Sequence, residues 1–119
     1  MPVATTLLML TLMADGGVRL TLSESDNAPA CEAARASVVR ILSTSGKPPL
    51  LTMCGQTDLK LTPFVHGTPA SAEVLRYRVE VPAGGGFVVQ RLQADEACTP
   101  APSAQPAVYC TRSAQQPAP

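Results

Sequence analysis

Four cysteines spread along 119 residues, at positions 31, 54, 98 and 110, constrain this chain more than any other feature. Zinc sites take their ligands in close pairs such as C-x-x-C, and no such pair occurs. A redox dithiol needs two cysteines within one turn of a helix N-terminus, and that spacing is absent too. Two disulfides or four buried thiols remain. An even cysteine number in a short chain with two Phe, two Tyr and no Trp favours bridges and an oxidising compartment. Of the three connectivities, Cys31–Cys54 with Cys98–Cys110 is preferred. The first ties a helix to the strand after it, and the second closes a proline-rich segment. The loops span 23 and 12 residues. Each is worth about 3 kcal/mol in the chain-entropy model, less any strain.

The length supports one domain with a single core. Nine basic residues balance nine acidic ones, which excludes strong electrostatic capture of nucleic acid or an anionic membrane surface. Only 15% of residues are charged, against about 25% in ordinary soluble domains. The core must come mainly from thirteen Leu and eleven Val.

Much of that apolar mass lies in residues 3–13, where two readings compete. Leu8, Leu10 and Leu12 alternate with Thr11 and Met13, Asp15-Gly16-Gly17 follows, and Val18, Leu20 and Leu22 alternate with Arg19, Thr21 and Ser23. Asp-Gly between alternating runs predicts a β-hairpin, because glycine takes the positive φ of a tight turn. The same run resembles the apolar region of a secretory signal ending near Ala14, without the usual preceding Lys or Arg. It is too short to span a bilayer, which takes about 20 residues. The hairpin is preferred, so residues 1–14 are read as its first strand or, alternatively, as a signal peptide. Disulfides require export, and the hairpin reading leaves no address. A start upstream of Met1, or removal of residues 1–14, reconciles the two. An extracytoplasmic (periplasmic or secreted) location follows; the alternative is cytoplasmic.

Residues 15–98 read as an α+β domain: one amphipathic helix on a mainly antiparallel sheet of five or six strands. The helix runs from about Ala28 to Thr44. Asp26 or Asn27 caps it, Pro29 sits where a missing N–H costs nothing, and Gly46 with Pro48-Pro49 ends it. Cys31, Ala34, Val38, Ile41 and Leu42 share one face. Strands are expected at 18–24, 50–54, 59–65 (an edge or bulge, because of Pro63), 73–81, 87–92 and 107–112. The helix between 18–24 and 50–65 would make a crossover with one parallel strand pair. The pattern does not fix the register of the hairpin 73–92: a five-residue loop sets Val79 opposite Val89, a four-residue loop points Val88, Gln90 and Leu92 inward, and the cost of burying Gln90 unpaired favours the first. Residues 99–119 are rich in Pro, Ala and Gln, and read as an extended segment ending in a disordered tail.

No catalytic constellation stands out. The sole histidine, His66, lacks an orienting carboxylate nearby in sequence and a Gly-x-Ser-x-Gly elbow, so a small hydrolase built on it is the weakest reading. Gly84-Gly85-Gly86 precedes a β-run rather than a helix, which makes it a hairpin loop rather than a phosphate cradle. Arg76, Arg78 and Arg91 would form an anion site if the register brought them together. No cofactor, metal or nucleic-acid partner is expected. The leading expectation is a non-enzymatic, disulfide-stabilised exported module that binds a protein partner, such as an accessory subunit. The alternative is a secreted proteinase inhibitor whose stiff loop, with Pro100, Pro102, Ser103 and Pro106, enters an active site.

Overall fold

The structure, a computed structural model, describes residues 4–65 and 67–118. It has one helix against a mixed, mostly antiparallel sheet of six strands, an α+β fold. The strands are β1 (Ala4–Leu12), β2 (Val18–Ser25), β3 (Leu51–Thr57), β4 (Leu75–Val81), β5 (Val88–Leu92) and β6 (Ala107–Ser113); helix α1 spans Ala28–Thr44. Across the sheet the order is β3-β1-β2-β6-β4-β5.

Asp-Gly does turn the chain between β1 and β2. Met13 N–H donates to Gly17 O at 2.8 Å and Gly16 N–H to Met13 O at 3.0 Å, with Gly16 at φ +89°. This left-handed position admits glycine at no steric cost. β1 then lies between β2 and β3, and Leu8 and Leu10 are fully buried. Taking this strand away would open the sheet through its core.

Local capping sets both ends of α1. Asn27 Oδ1 accepts from Ala30 N–H at 2.8 Å, and Pro29 follows in the first turn. At the other end Gly46 adopts φ +80°, its N–H donates to Ser43 O, and Lys47 N–H donates to Leu42 O. That pair of bonds satisfies carbonyls the helix leaves unpaired. The helix lies on the outer face of β1, β2 and β3, where Cys31 is bonded to Cys54 and Leu7, the register partner of Cys54, is buried.

Alternation sends the other side chains inward. Leu8, Leu10, Leu20, Leu22, Tyr77, Val79, Phe87 and Val89 form one core. The sheet curls so far that its two edges meet across this core. Phe87, at the entrance to β5, packs against Gly55 of β3, where an added Cβ would stand 2.7 Å from Phe87 Cε2. The glycine continues the strand and makes room for the ring.

Several expectations change. The strand at 59–65 reduces to one bridge, Leu61 to Pro117. The crossover β2-α1-β3 passes over β1, which pairs antiparallel with both strands, so the parallel pair is instead β2 with β6, through Arg19 and Arg112 alone. Ile41 is 62% exposed, because α1 covers only three strands and its buried stripe is narrower than the spacing implies. β4 begins at Leu75 rather than at Glu73, whose carboxylate is buried against Arg19. The β4–β5 register sets Val79 opposite Val89, and Gln90 is exposed.

The tail also differs from its composition. Residues 113–118 are hydrogen-bonded in place: Thr62 N–H donates to Gln116 O and Ala118 N–H to Lys60 O, both at 2.8 Å. Gln115 is buried at their centre. Its Nε2 donates to Leu22 O at 3.0 Å and Thr62 O at 2.7 Å, while its carbonyl accepts from Tyr77 Oη at 2.7 Å. Internal partners stabilise a polar side chain that composition alone assigns to solvent.

Candidate functional site

Local geometry turns residues 98–110 into a rigid feature. The chain leaves β5 through a turn in which Glu96 N–H donates to Gln93 O and the Glu96 carboxylate accepts from Gln93 N–H. Arg76 Nη1 reaches over this turn and donates to the carbonyls of Gln93 (3.2 Å), Ala94 (3.3 Å) and Glu96 (2.7 Å). The Cys98–Cys110 bridge then fastens the chain to β6. Ala101 and Val108 exchange both backbone hydrogen bonds, at 2.9 and 3.0 Å, and Ala104 N–H donates to Ala101 O at 3.1 Å. A proline-rich stretch that would be an open coil by composition is thus stapled at its base and turned at its tip.

This loop forms one wall of a groove of about 480 Å³. Pro100 and Pro102 supply the wall, and Val108, Tyr109 and Cys110 of β6 adjoin it. Val18, Leu50 and the bare backbone of Gly16 and Gly17 complete the lining. Leu50 is 49% exposed although its N–H is held by Leu10 O at 2.8 Å. The volume falls within the roughly 300–1,000 Å³ of small-molecule and side-chain pockets, and the lining is mainly apolar.

One ion pair, Asp15 with Arg112, sits beside Gly17 of the groove lining. The Arg112 guanidinium lies behind Gly17: a Cβ built there would stand 3.3 Å from Arg112 Cζ. Arg112 Nη2 is ion-paired with Asp15 Oδ2, and Asp15 Oδ1 accepts from Gly17 N–H at 2.9 Å. The hydrogen bond from Arg112, followed by that from Gly17, holds the Asp15 carboxyl below its ordinary range. Among the described residues nothing accepts from the buried Nε of Arg112. Arg112 also belongs to a row of guanidinium groups, for its register partners are Arg19 on β2 and Arg76 on β4. Like charges directly opposite destabilise a sheet, and each member here has its own counterweight. Glu73 pairs with Arg19, Asp15 with Arg112, and loop carbonyls with Arg76.

Of the residues singled out from sequence, Pro100 and Pro102 line the groove, while Ser103 and Pro106 are exposed at the loop tip. Arg76, Arg78 and Arg91 do not converge. Arg76 and Arg78 stand opposite Leu92 and Gln90, whereas Arg91 is the partner of Tyr77 and its position falls on the other face. Arg78 pairs instead with Glu80, at 3.6 Å. Gly85 and Gly86 turn the β4–β5 hairpin at positive φ. His66, on which the hydrolase reading depends, lies outside the described residues. The Asp15–Arg112 pair escaped sequence reasoning because its members are 97 residues apart and no local pattern links them.

Among the described residues, no three His, Cys, Asp or Glu side chains gather as a metal site, and no helix is long and apolar enough to cross a membrane. No protein-family model, curated protein or solved structure matches the chain.

Proposed function

We propose that this chain is a non-enzymatic, disulfide-stabilised, extracytoplasmic module that binds a protein partner, as an accessory subunit does. The observation that carries the reading is the stapled loop. The Cys98–Cys110 bridge and the Ala101–Val108 bonds hold an exposed proline-rich segment as one wall of an apolar groove. A wall ordered before binding removes part of the entropy cost of association. Two bridges in so small a domain are what an oxidising compartment permits.

Native co-purification from the extracytoplasmic fraction tests it. The expected result is one stoichiometric protein partner that is lost when Leu50→Arg fills the groove. Recovery as a lone cytosolic monomer with four free thiols overturns the reading.

The alternative, a proteinase inhibitor, needs residues 100–106 to enter a cleft as an extended strand. The Ala104 N–H to Ala101 O bond folds residues 101–104 into a turn instead, which favours a wall over a substrate mimic. No inhibition of serine proteinases is expected. Inhibition abolished by substitutions at Ser103 to Pro106 would reverse that preference.

A further inference from the structure

We infer that Cys98–Cys110 is a thiol–disulfide exchange site, opened by a protein dithiol, and that the state of this one bridge sets the wall of the groove. The consequence for binding rests on the protein-binding reading above; the exchange chemistry rests on the bridge alone. The two bridges differ in what surrounds their sulfurs. Cys31 is fully buried, and its partner Cys54 is half-buried opposite the buried Leu7. Attack on Cys54 would expel a thiolate at Cys31 into an enclosed apolar site, where burial raises its energy. Cys98 and Cys110 are both half-buried, and Cys98 lies between the exposed residues Ala97 and Thr99. Exchange rates follow access and the leaving thiol, and both favour this bridge.

Cys110 is the better leaving group. Its register partner on β4 is Arg78, and directly opposed side chains on a sheet have Cβ atoms about 4.5–5.5 Å apart. Arg78 Nη2 stands 3.6 Å from Glu80 Oε1, a contact too long for a hydrogen bond, so its guanidinium is loosely held. A guanidinium beside a sulfur stabilises the thiolate that departs. A thiolate of the dithiol attacks Cys98 Sγ, the Sγ–Sγ bond breaks, and its electron pair leaves on Cys110 Sγ. The second thiol then attacks the mixed disulfide and releases Cys98. The dithiol ends as a disulfide, and its two protons end on Cys98 and Cys110. The reverse exchange, with a protein disulfide, closes the bridge. Arg76 holds the carbonyls of Gln93, Ala94 and Glu96 before Cys98, and the Ala101–Val108 bonds hold the chain after it. The two sulfurs therefore stay neighbours when reduced, while Pro100 and Pro102 keep only the Ala101–Val108 tie to β6.

The test treats the full, oxidised protein with dithiothreitol under native conditions, quenches with iodoacetamide and maps the labelled cysteines by peptide mass spectrometry. Cys98 and Cys110 should open about tenfold or more faster than Cys31 and Cys54, with the circular dichroism of the core unchanged. The backbone amides of Ala101 and Val108 should then exchange hydrogen about tenfold or more faster than in the closed form. Glutathione, a monothiol, should be trapped on Cys98 rather than on Cys110. Arg78→Gln should slow opening about threefold or more, and Arg78→Lys, which keeps the charge, should restore most of the rate.

Equal opening rates for the two bridges, glutathione trapped chiefly on Cys110, or unchanged protection of Ala101 and Val108 overturns the inference. If a co-purified partner stays bound after selective opening, the switch fails and the protein-binding reading stands. If opening is selective and no partner is recovered, the broader reading fails and the exchange site stands.

Discussion

The side chain of Gln115 pairs with both backbone groups of Leu22, as a neighbouring strand would. Its Nε2 donates to Leu22 O and its Oε1 accepts from Leu22 N–H, each at 3.0 Å. β2 is thereby extended by an amide 93 residues further along the chain. Gln115→Leu would leave Leu22 and Thr62 backbone groups buried without partners. Each of the two buried Leu22 groups costs about 1–3 kcal/mol, so a total loss of about 2–6 kcal/mol is expected in denaturant unfolding of the oxidised protein. A loss below about 0.5 kcal/mol, the scale of an ordinary surface substitution, would mean that water replaces the amide.

Gly55 is the point at which the curled sheet closes on Phe87. Gly55→Ala forces a Cβ to 2.7 Å from the ring and should cost about 1–3 kcal/mol by overpacking. Phe87→Leu costs stability in the wild-type background by leaving space. In the Gly55→Ala background it should cost distinctly less. Strict additivity in the double-mutant cycle would show that the two residues do not press on each other.

Tyr77 couples stability to alkaline pH. Burial pushes its phenol above the ordinary value of 10.0, with Arg91 opposing. The folded chain keeps a proton that the unfolded chain releases, so this contribution is complete below about pH 10 and is lost as pH rises through the raised folded value. Tyr77→Phe should remove the alkaline decline assignable to this group. At neutral pH it should cost about 1–3 kcal/mol, because Gln115 O loses its donor. Unfolding curves between neutral pH and about pH 11 check both points.

Replacing Cys98 and Cys110 together with serine opens a 12-residue loop and should cost about 3 kcal/mol. It should also abolish partner co-purification while the core signal by circular dichroism persists. Partner binding that survives would show that the Ala101–Val108 bonds alone shape the wall.

Features built from neighbouring residues were legible in the sequence. The ends of α1 follow from Asn27, Pro29 and Gly46, whose capping chemistry acts within one turn. The β1–β2 turn follows from Asp15-Gly16, whereas the β4–β5 register is left open by the alternation and only favoured by the cost of burying Gln90. The two bridges join cysteines in their order along the chain. Features requiring distant partners were not legible. Gln115 looks solvent-seeking until Leu22 and Thr62 surround it, and Glu73 looks like an ordinary strand residue until Arg19 meets it. Pro100 and Pro102 were marked as recognition residues, but the groove they line also needs Leu50 and the glycines of a separate turn.

β2 and β6 share a single register pair, Arg19 with Arg112. On one side of that seam lie β3, β1, β2 and the helix, closed by Cys31–Cys54; on the other lie β6, β4 and β5, closed by Cys98–Cys110. The molecule is thus a pair of self-fastened halves threaded together only through residues 58–74. A protease nick in that thread would leave two covalently closed pieces whose union depends on the shared core, on Gln115 and on the Asp15–Arg112 ion pair. Two such pieces, made as separate peptides, should be able to find each other and rebuild the groove, whose lining comes from both.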